Sequence, residues 1–121
     1  MTGDYSIDGL EDKCAIERKS KSDMHGTLSN RRANFTKELG RLSTMHRGSV
    51  IVECGDKDFL TGPKYYRSSR LSKVDLAATQ WATVAGWAAT YGVPFYFKDT
   101  RSLAERWAFY TLRKWRDLLK G

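Results

Sequence analysis

The spacing of apolar positions changes several times along the chain, and each change marks an element. The opening "GDYSIDGLEDKCAIERK" alternates and carries Asp8-Gly9 between two arms. It predicts a β-hairpin with strands over Asp4–Ile7 and about Lys13–Lys19. With the turn centred near Leu10, Asp4 lies across from Ile16 or Glu17, and period-two alternation puts Glu17 and Lys19 on one face. Ser22 and Asp23 mark a helix start that Gly26 keeps short. A firmer helix follows from about Arg31 to His46, with Phe35, Leu39, Leu42 and Met45 at helical spacing and Gly48 as its stop signal. "SVIVEC" (Ser49–Cys54) is a continuous apolar run of strand length, as expected inside a sheet covered on both faces.

The polar segment from Gly55 to Lys73 contains Gly62-Pro63 and reads as a loop or a short irregular helix. Leu76–Phe97 is uncharged, but Thr79, Gln80, Thr83 and Thr90 and the break at "YGVP" argue against a membrane span. It predicts a buried helix over about Val74–Thr90, with Val74, Ala77, Ala78, Trp81, Val84, Ala85 and Ala88 on one stripe, then a strand at Val93–Phe97. The last helix opens with Ser102 and Glu105 in capping-box spacing and runs to about Lys120. Its apolar stripe is Ala104, Trp107, Ala108, Thr111, Leu112, Trp115 and Leu119. Trp81, Trp87, Trp107 and Trp115 read as core residues rather than a base-stacking platform. Hairpin, helix, strand, helix, strand and helix, in that order, imply a mixed-sheet α/β domain.

The length of 121 residues suits a single domain with one core. Lys and Arg number 21 against 14 Asp and Glu, a net charge of +7 that favours a polyanionic partner such as nucleic acid. Cys14 and Cys54 lie in apolar runs without C-x-x-C spacing and read as reduced core residues. Met1–Gly9 is polar and unlike a signal peptide, so an intracellular location and no membrane partner are expected.

The hairpin carries the candidate chemistry. Acidic side chains on adjacent strands suit a hard divalent cation such as Mg²⁺. A neighbouring lysine orients the attacking water and offsets charge on a scissile phosphate. Asp4, with Glu-x-Lys on the next strand, is thus an arrangement for phosphodiester hydrolysis. Asp4, Glu17 and the carbonyl of Arg18 would hold the metal, and Lys19 would face the water. Glu-x-Lys alone also occurs on many solvated strand faces.

The longer pattern narrows that choice. Gly3-Asp4 is followed by Glu17-Arg18-Lys19 and then by Asp23 after three intervening residues, with "RRANFTKELGRL" and "VIVE" beyond. This resembles the XPF-type structure-specific endonuclease family, whose motif is GD, a variable spacer, then ERKxxxD. The resemblance spans roughly residues 2 to 97. It implies a restriction-endonuclease-like fold, Mg²⁺ or Mn²⁺ dependence, and cleavage near branches, flaps or junctions in DNA.

Carried over by position, Asp4, Glu17 and Lys19 take the catalytic and metal roles, and Arg18 and Asp23 are further motif residues. Asp23 has a second reading, as a helix-start residue favoured by the helix dipole. Arg32, nine residues beyond Asp23, resembles the family's arginine after the short helix, suited to a phosphate contact, and Arg31 beside it is a further DNA-binding candidate. Glu53 resembles an acid that ends the family's next strand, although a strand-end glutamate is also a common structural residue. The family's opening strand with its Asp-x-Arg-Glu signature has no counterpart before Thr2, and tandem helix-hairpin-helix modules are not matched. The resemblance therefore reaches phosphodiester cleavage further than branch specificity.

Between Pro63 and Lys73, Lys64, Arg67, Arg70 and Lys73 recur every third residue beside Tyr65 and Tyr66. This row suits phosphate neutralisation and stacking on unpaired bases, or else forms a solvated basic loop. The resemblance also implies a homodimer or a partner protein, with an aromatic helix as the pairing face. A catalytically silent DNA-binding or scaffold module of the same fold is the alternative to the nuclease, and a protein-interaction domain made soluble by its charge is a third.

Overall fold

The computed structural model describes residues 4–59 and 73–120. Its elements are β1 (Asp4–Ser6), β2 (Cys14–Lys19), α1 (Lys21–Leu28), α2 (Arg32–Ser43), β3 (Arg47–Val52), α3 (Asp56–Phe59), α4 (Lys73–Tyr91), β4 (Phe95–Phe97) and α5 (Arg101–Lys120). The sheet order is β1-β2-β3-β4, with β1 antiparallel to β2 and the other pairs parallel. This is the mixed α/β architecture that the order of elements implies.

The hairpin turn is built at Asp8-Gly9. The Leu10 amide donates to the Ile7 carbonyl at 2.8 Å, and Gly9 adopts a φ of +83°. A left-handed residue at the third turn position is where glycine costs least. A second turn follows at once, with the Lys13 and Cys14 amides both donating to the Leu10 carbonyl at 2.9 Å. The seven-residue connection centres the hairpin near Leu10 and pairs Asp4 with Glu17 and Tyr5 with Ile16.

Alternation along β2 divides its side chains between two apolar clusters. Ala15 joins α1, α2, α3 and α4 on one side of the sheet, with Met24, Phe35, Leu39, Val50, Val52, Phe59 and Trp87. Cys14 and Ile16 join Ile51 beneath Ala104, Ala108 and Leu112 of α5 on the other. β3 is covered on both faces, as its unbroken apolar run demands. Both cysteines are free and buried, and burial pushes the Cys54 thiol up to about 11. Among the described residues, no helix is long and apolar enough to cross a membrane.

Several boundaries differ from the sequence expectation. The cap of α1 is Ser20, whose Oγ accepts from the Asp23 amide at 3.2 Å, so the helix starts ahead of Ser22. Likewise Thr100, accepting from the Leu103 amide at 3.1 Å, caps α5 in place of Ser102. Glu105 instead pairs with Arg101 at 3.1 Å. Helix α2 ends at Ser43, and Gly48 lies inside β3. There a Cβ would come within 2.8 Å of the Leu42 carbonyl oxygen, so glycine serves close helix–strand approach rather than helix termination.

In α4 the expected stripe is also rotated. Ala78 and Ala85 are exposed, whereas Gln80 and Trp87 join Val84 in the interior. Trp87 meets Phe35 at a centroid distance of 5.2 Å, and Gln80 lies 3.2 Å from His25 Nδ1. Trp81 packs against the same cluster, and Trp115 of α5 packs against the cluster on the other side of the sheet. Trp107, expected in the core, is instead exposed, with Lys98 Nζ 4.0 Å from its ring centroid.

His25 is stacked on Phe59 with centroids 4.6 Å apart. Burial, helped by the Lys21 charge and opposed by Asp58, holds its pKa below the usual 6.5. Because the folded value is depressed, the associated stability is fully present above the unfolded pKa and is lost as pH falls through the folded one. Thermal melts from about pH 7.5 to 5 are expected to show a steeper loss on acidification for the parent than for His25→Gln. Parallel pH profiles of the two proteins would remove His25 as the source.

Candidate active site

Strand β2 presents Glu17 and Lys19 on the helix-covered side and Arg18 on the α5 side, because successive residues alternate. Glu17 is 5% exposed. A guanidinium nitrogen of Arg41 in α2 lies 3.9 Å from Glu17 Oε2 and also binds Glu38 at 3.0 Å. Lys19 Nζ stands 5.1 Å from the centroid of the Phe35 ring in α2, a cation–π contact. Asp4 is the ladder partner of Glu17. The backbone register thus sets Asp4 opposite Glu17, one of its two expected partners, with Lys19 two residues further along β2.

The remaining motif residues turn elsewhere. Arg18 Nε binds Glu53 Oε1 at 3.0 Å on the α5 side, next to Tyr5. The Glu53 bond holds the Arg18 proton more firmly, and burial pushes the Tyr5 phenol up. Glu53 is therefore an ion-pair partner of Arg18. Its side chain is 6% exposed and that of Arg18 26%. Removing one member of such a pair strands the other charge. Glu53→Gln is expected to cost toward the lower end of ~3–5 kcal/mol, partly recovered in Arg18→Met/Glu53→Leu, as read from urea unfolding midpoints.

Asp23 sits in the first turn of α1, its amide on the Ser20 cap and its carboxylate 4.0 Å from Arg31. Arg32 donates to the Leu28 carbonyl at 3.1 Å and lies 5.8 Å from the Trp87 ring, closing the end of α1 onto α4. Both arginines are exposed enough to reach a phosphate, although Arg32 also has this structural task. Lys64, Tyr65, Tyr66, Arg67 and Arg70 lie outside the described residues, and Lys73 opens α4.

Sequence reasoning missed Arg41. Its helical neighbour Glu38 was visible at i−3, but nothing local marks its approach to a strand more than twenty residues earlier.

A small hard cation such as Mg²⁺ takes one or two carboxylates and completes its shell with water and phosphate oxygens. Asp4 and Glu17 match that donor set by residue type and register. Among the described residues, no group of three or more His, Cys, Asp and Glu side chains gathers into a denser site.

Sheet order, two helical crossovers on one face and a closing helix on the other make a mixed four-stranded α/β fold, and solved structures share it. XPF from Aeropyrum pernix is similar over 86% of this chain and 43% of its own, with a TM-score of 0.64 and 20% identity. The same protein in complex with DNA is similar over 89% of this chain and 48% of its own, with a TM-score of 0.63 and 19% identity. The chain thus spans less than half the length of these solved chains. No family model and no curated protein matches the sequence.

Proposed function

We propose that the protein is a metal-dependent DNA endonuclease acting on branched, flap or junction DNA. The observation that carries this reading is the pairing of Asp4 with Glu17 across β1 and β2, with Lys19 on the same side of β2 as Glu17. Asp4, Glu17 and the Arg18 carbonyl would hold Mg²⁺ or Mn²⁺, which when bound polarises a phosphoryl oxygen and lowers the pKa of water.

Lys19 hydrogen-bonds the attacking water, orients it toward phosphorus, and offsets the charge that builds on the phosphate. As the water oxygen bonds to phosphorus it loses a proton to solvent, and the ester oxygen departs with the electron pair of the broken bond and takes up a proton from solvent. Arg31 and Arg32 hold flanking phosphates, and Asp23 positions Arg31 and the start of α1.

The test compares the parent with Glu17→Ala/Lys19→Ala on labelled flap, fork, Holliday-junction and linear duplex DNA with Mg²⁺ or Mn²⁺. Metal-dependent cutting by the parent alone is the expected result. Salt-sensitive binding without cutting at any metal concentration would replace the nuclease with a silent DNA-binding module. One observation favours that second reading: the Arg41 guanidinium beside Glu17 competes electrostatically with a cation.

A further inference from the structure

Across the sheet from Glu17, α5 and the β1 edge enclose a groove of about 440 Å³. Ile7, Leu112 and Phe109 form its apolar wall, and Arg113 and Arg116 stand at its rim. It continues, through the shared Ile7 and Arg116, into a second trough flanked by Lys13 and Lys120. The trough's acid is Asp8, and Asp117 pairs with Arg116 at 3.3 Å. Four cations thus line a channel with an apolar floor.

The adjoining face of α5 leaves Phe109 61% and Tyr110 63% exposed, in edge contact at 5.5 Å. Adjoining exposed aromatics beside an apolar groove form a patch of the kind that marks an interaction site. We propose that this channel binds an unpaired DNA strand, with bases against Phe109 and the apolar wall and phosphates on Arg113, Arg116, Lys13 and Lys120. Charge complementarity selects the occupant. Arg113, Arg116, Lys13 and Lys120 outnumber Asp8 and Asp117, so the rim is net positive and suits a polyanion, whereas a second copy of this helix would bring like charges together. Aromatic faces supply base stacking without sequence preference.

The choice of DNA rests on the proposed nuclease reading. The channel itself lies on the opposite side of the sheet from Glu17 and Lys19, so occupying it leaves the cleavage site accessible.

The experiment is fluorescence anisotropy of a labelled oligo(dT) strand against the full chain in EDTA, where cleavage plays no part. Arg113→Glu/Arg116→Glu is expected to weaken binding by at least about tenfold and to flatten the salt dependence, by about 0.7 in log–log slope for each lost phosphate contact. Phe109→Ala should weaken binding by roughly tenfold with the salt slope unchanged. Circular dichroism melts check that each variant is folded, and Phe109→Trp should restore binding.

Parent-like affinity in both folded variants would overturn the proposal. Tighter association with vesicles of anionic phosphatidylglycerol than with oligo(dT), lost in the same variants, would reassign the channel to a membrane surface. Concentration-dependent self-association abolished by Phe109→Ala would reassign it to a second copy. A nuclease that cuts but shows these failures leaves the proposed activity standing and removes only the channel.

Discussion

Glu17→Gln is expected to cut DNA about 10²–10³-fold more slowly than the parent while melting at nearly the same temperature, with stability changed by no more than about 1 kcal/mol. The substitution preserves shape but removes the charge that would hold a divalent cation. Stability is spared because Arg41 keeps Glu38 at 3.0 Å and has a side chain 37% exposed, so it is not left as a buried lone charge. Single-turnover cleavage rates and thermal melts on the same preparations separate the two effects. A drop in melting temperature that tracked the loss of cutting would make Glu17 a structural residue instead.

Phe59→Ala should produce the largest loss of stability, about 3–5 kcal/mol, through removal of a large buried ring and the cavity that remains. Phe59 is fully buried although it ends a helix of four residues, which has little stability of its own. Its ring lies 4.6 Å from that of His25, 5.4 Å from Trp81 and 5.1 Å from Phe97, linking α1, α4 and β4. Guanidinium unfolding would report the change as a lower midpoint at an unchanged slope. A loss below about 1 kcal/mol would show that the cluster repacks around the missing ring.

The hairpin was the most legible part of the sequence, because a turn region centred near Leu10 sets which residues face one another and alternation sets which share a face. Together they place Asp4 opposite Glu17 and put Lys19 two residues along. The buried strand Arg47–Val52 was also visible as an apolar run, with its start displaced by two residues. Helix caps were harder, since Ser20 and Ser22, like Thr100 and Ser102, are chemically equivalent candidates that only backbone geometry separates.

The orientation of α4 was illegible for another reason. Alanines occupy much of its circumference, so burial is decided by where Trp87 finds Phe35 and Gln80 finds His25. Charge partners across the parallel sheet were equally hidden. That Arg18 meets Glu53 depends on a register pairing Lys19 with Val52, which neither segment encodes alone. The candidate catalytic face could thus be read from local periodicity, whereas Arg41 and Glu53 required the tertiary structure.

Both six-residue strands, β2 and β3, occupy the middle of the sheet, while its described margins are the three-residue strands β1 and β4. The most aggregation-prone segment, Val50-Ile51-Val52, is therefore paired on both sides. Among the described residues, what an incoming chain can template on is three residues long at either margin, too short to seed intermolecular β-structure readily. The folded protein should resist edge-to-edge aggregation at concentrations where its partly unfolded forms, with β3 uncovered, would not.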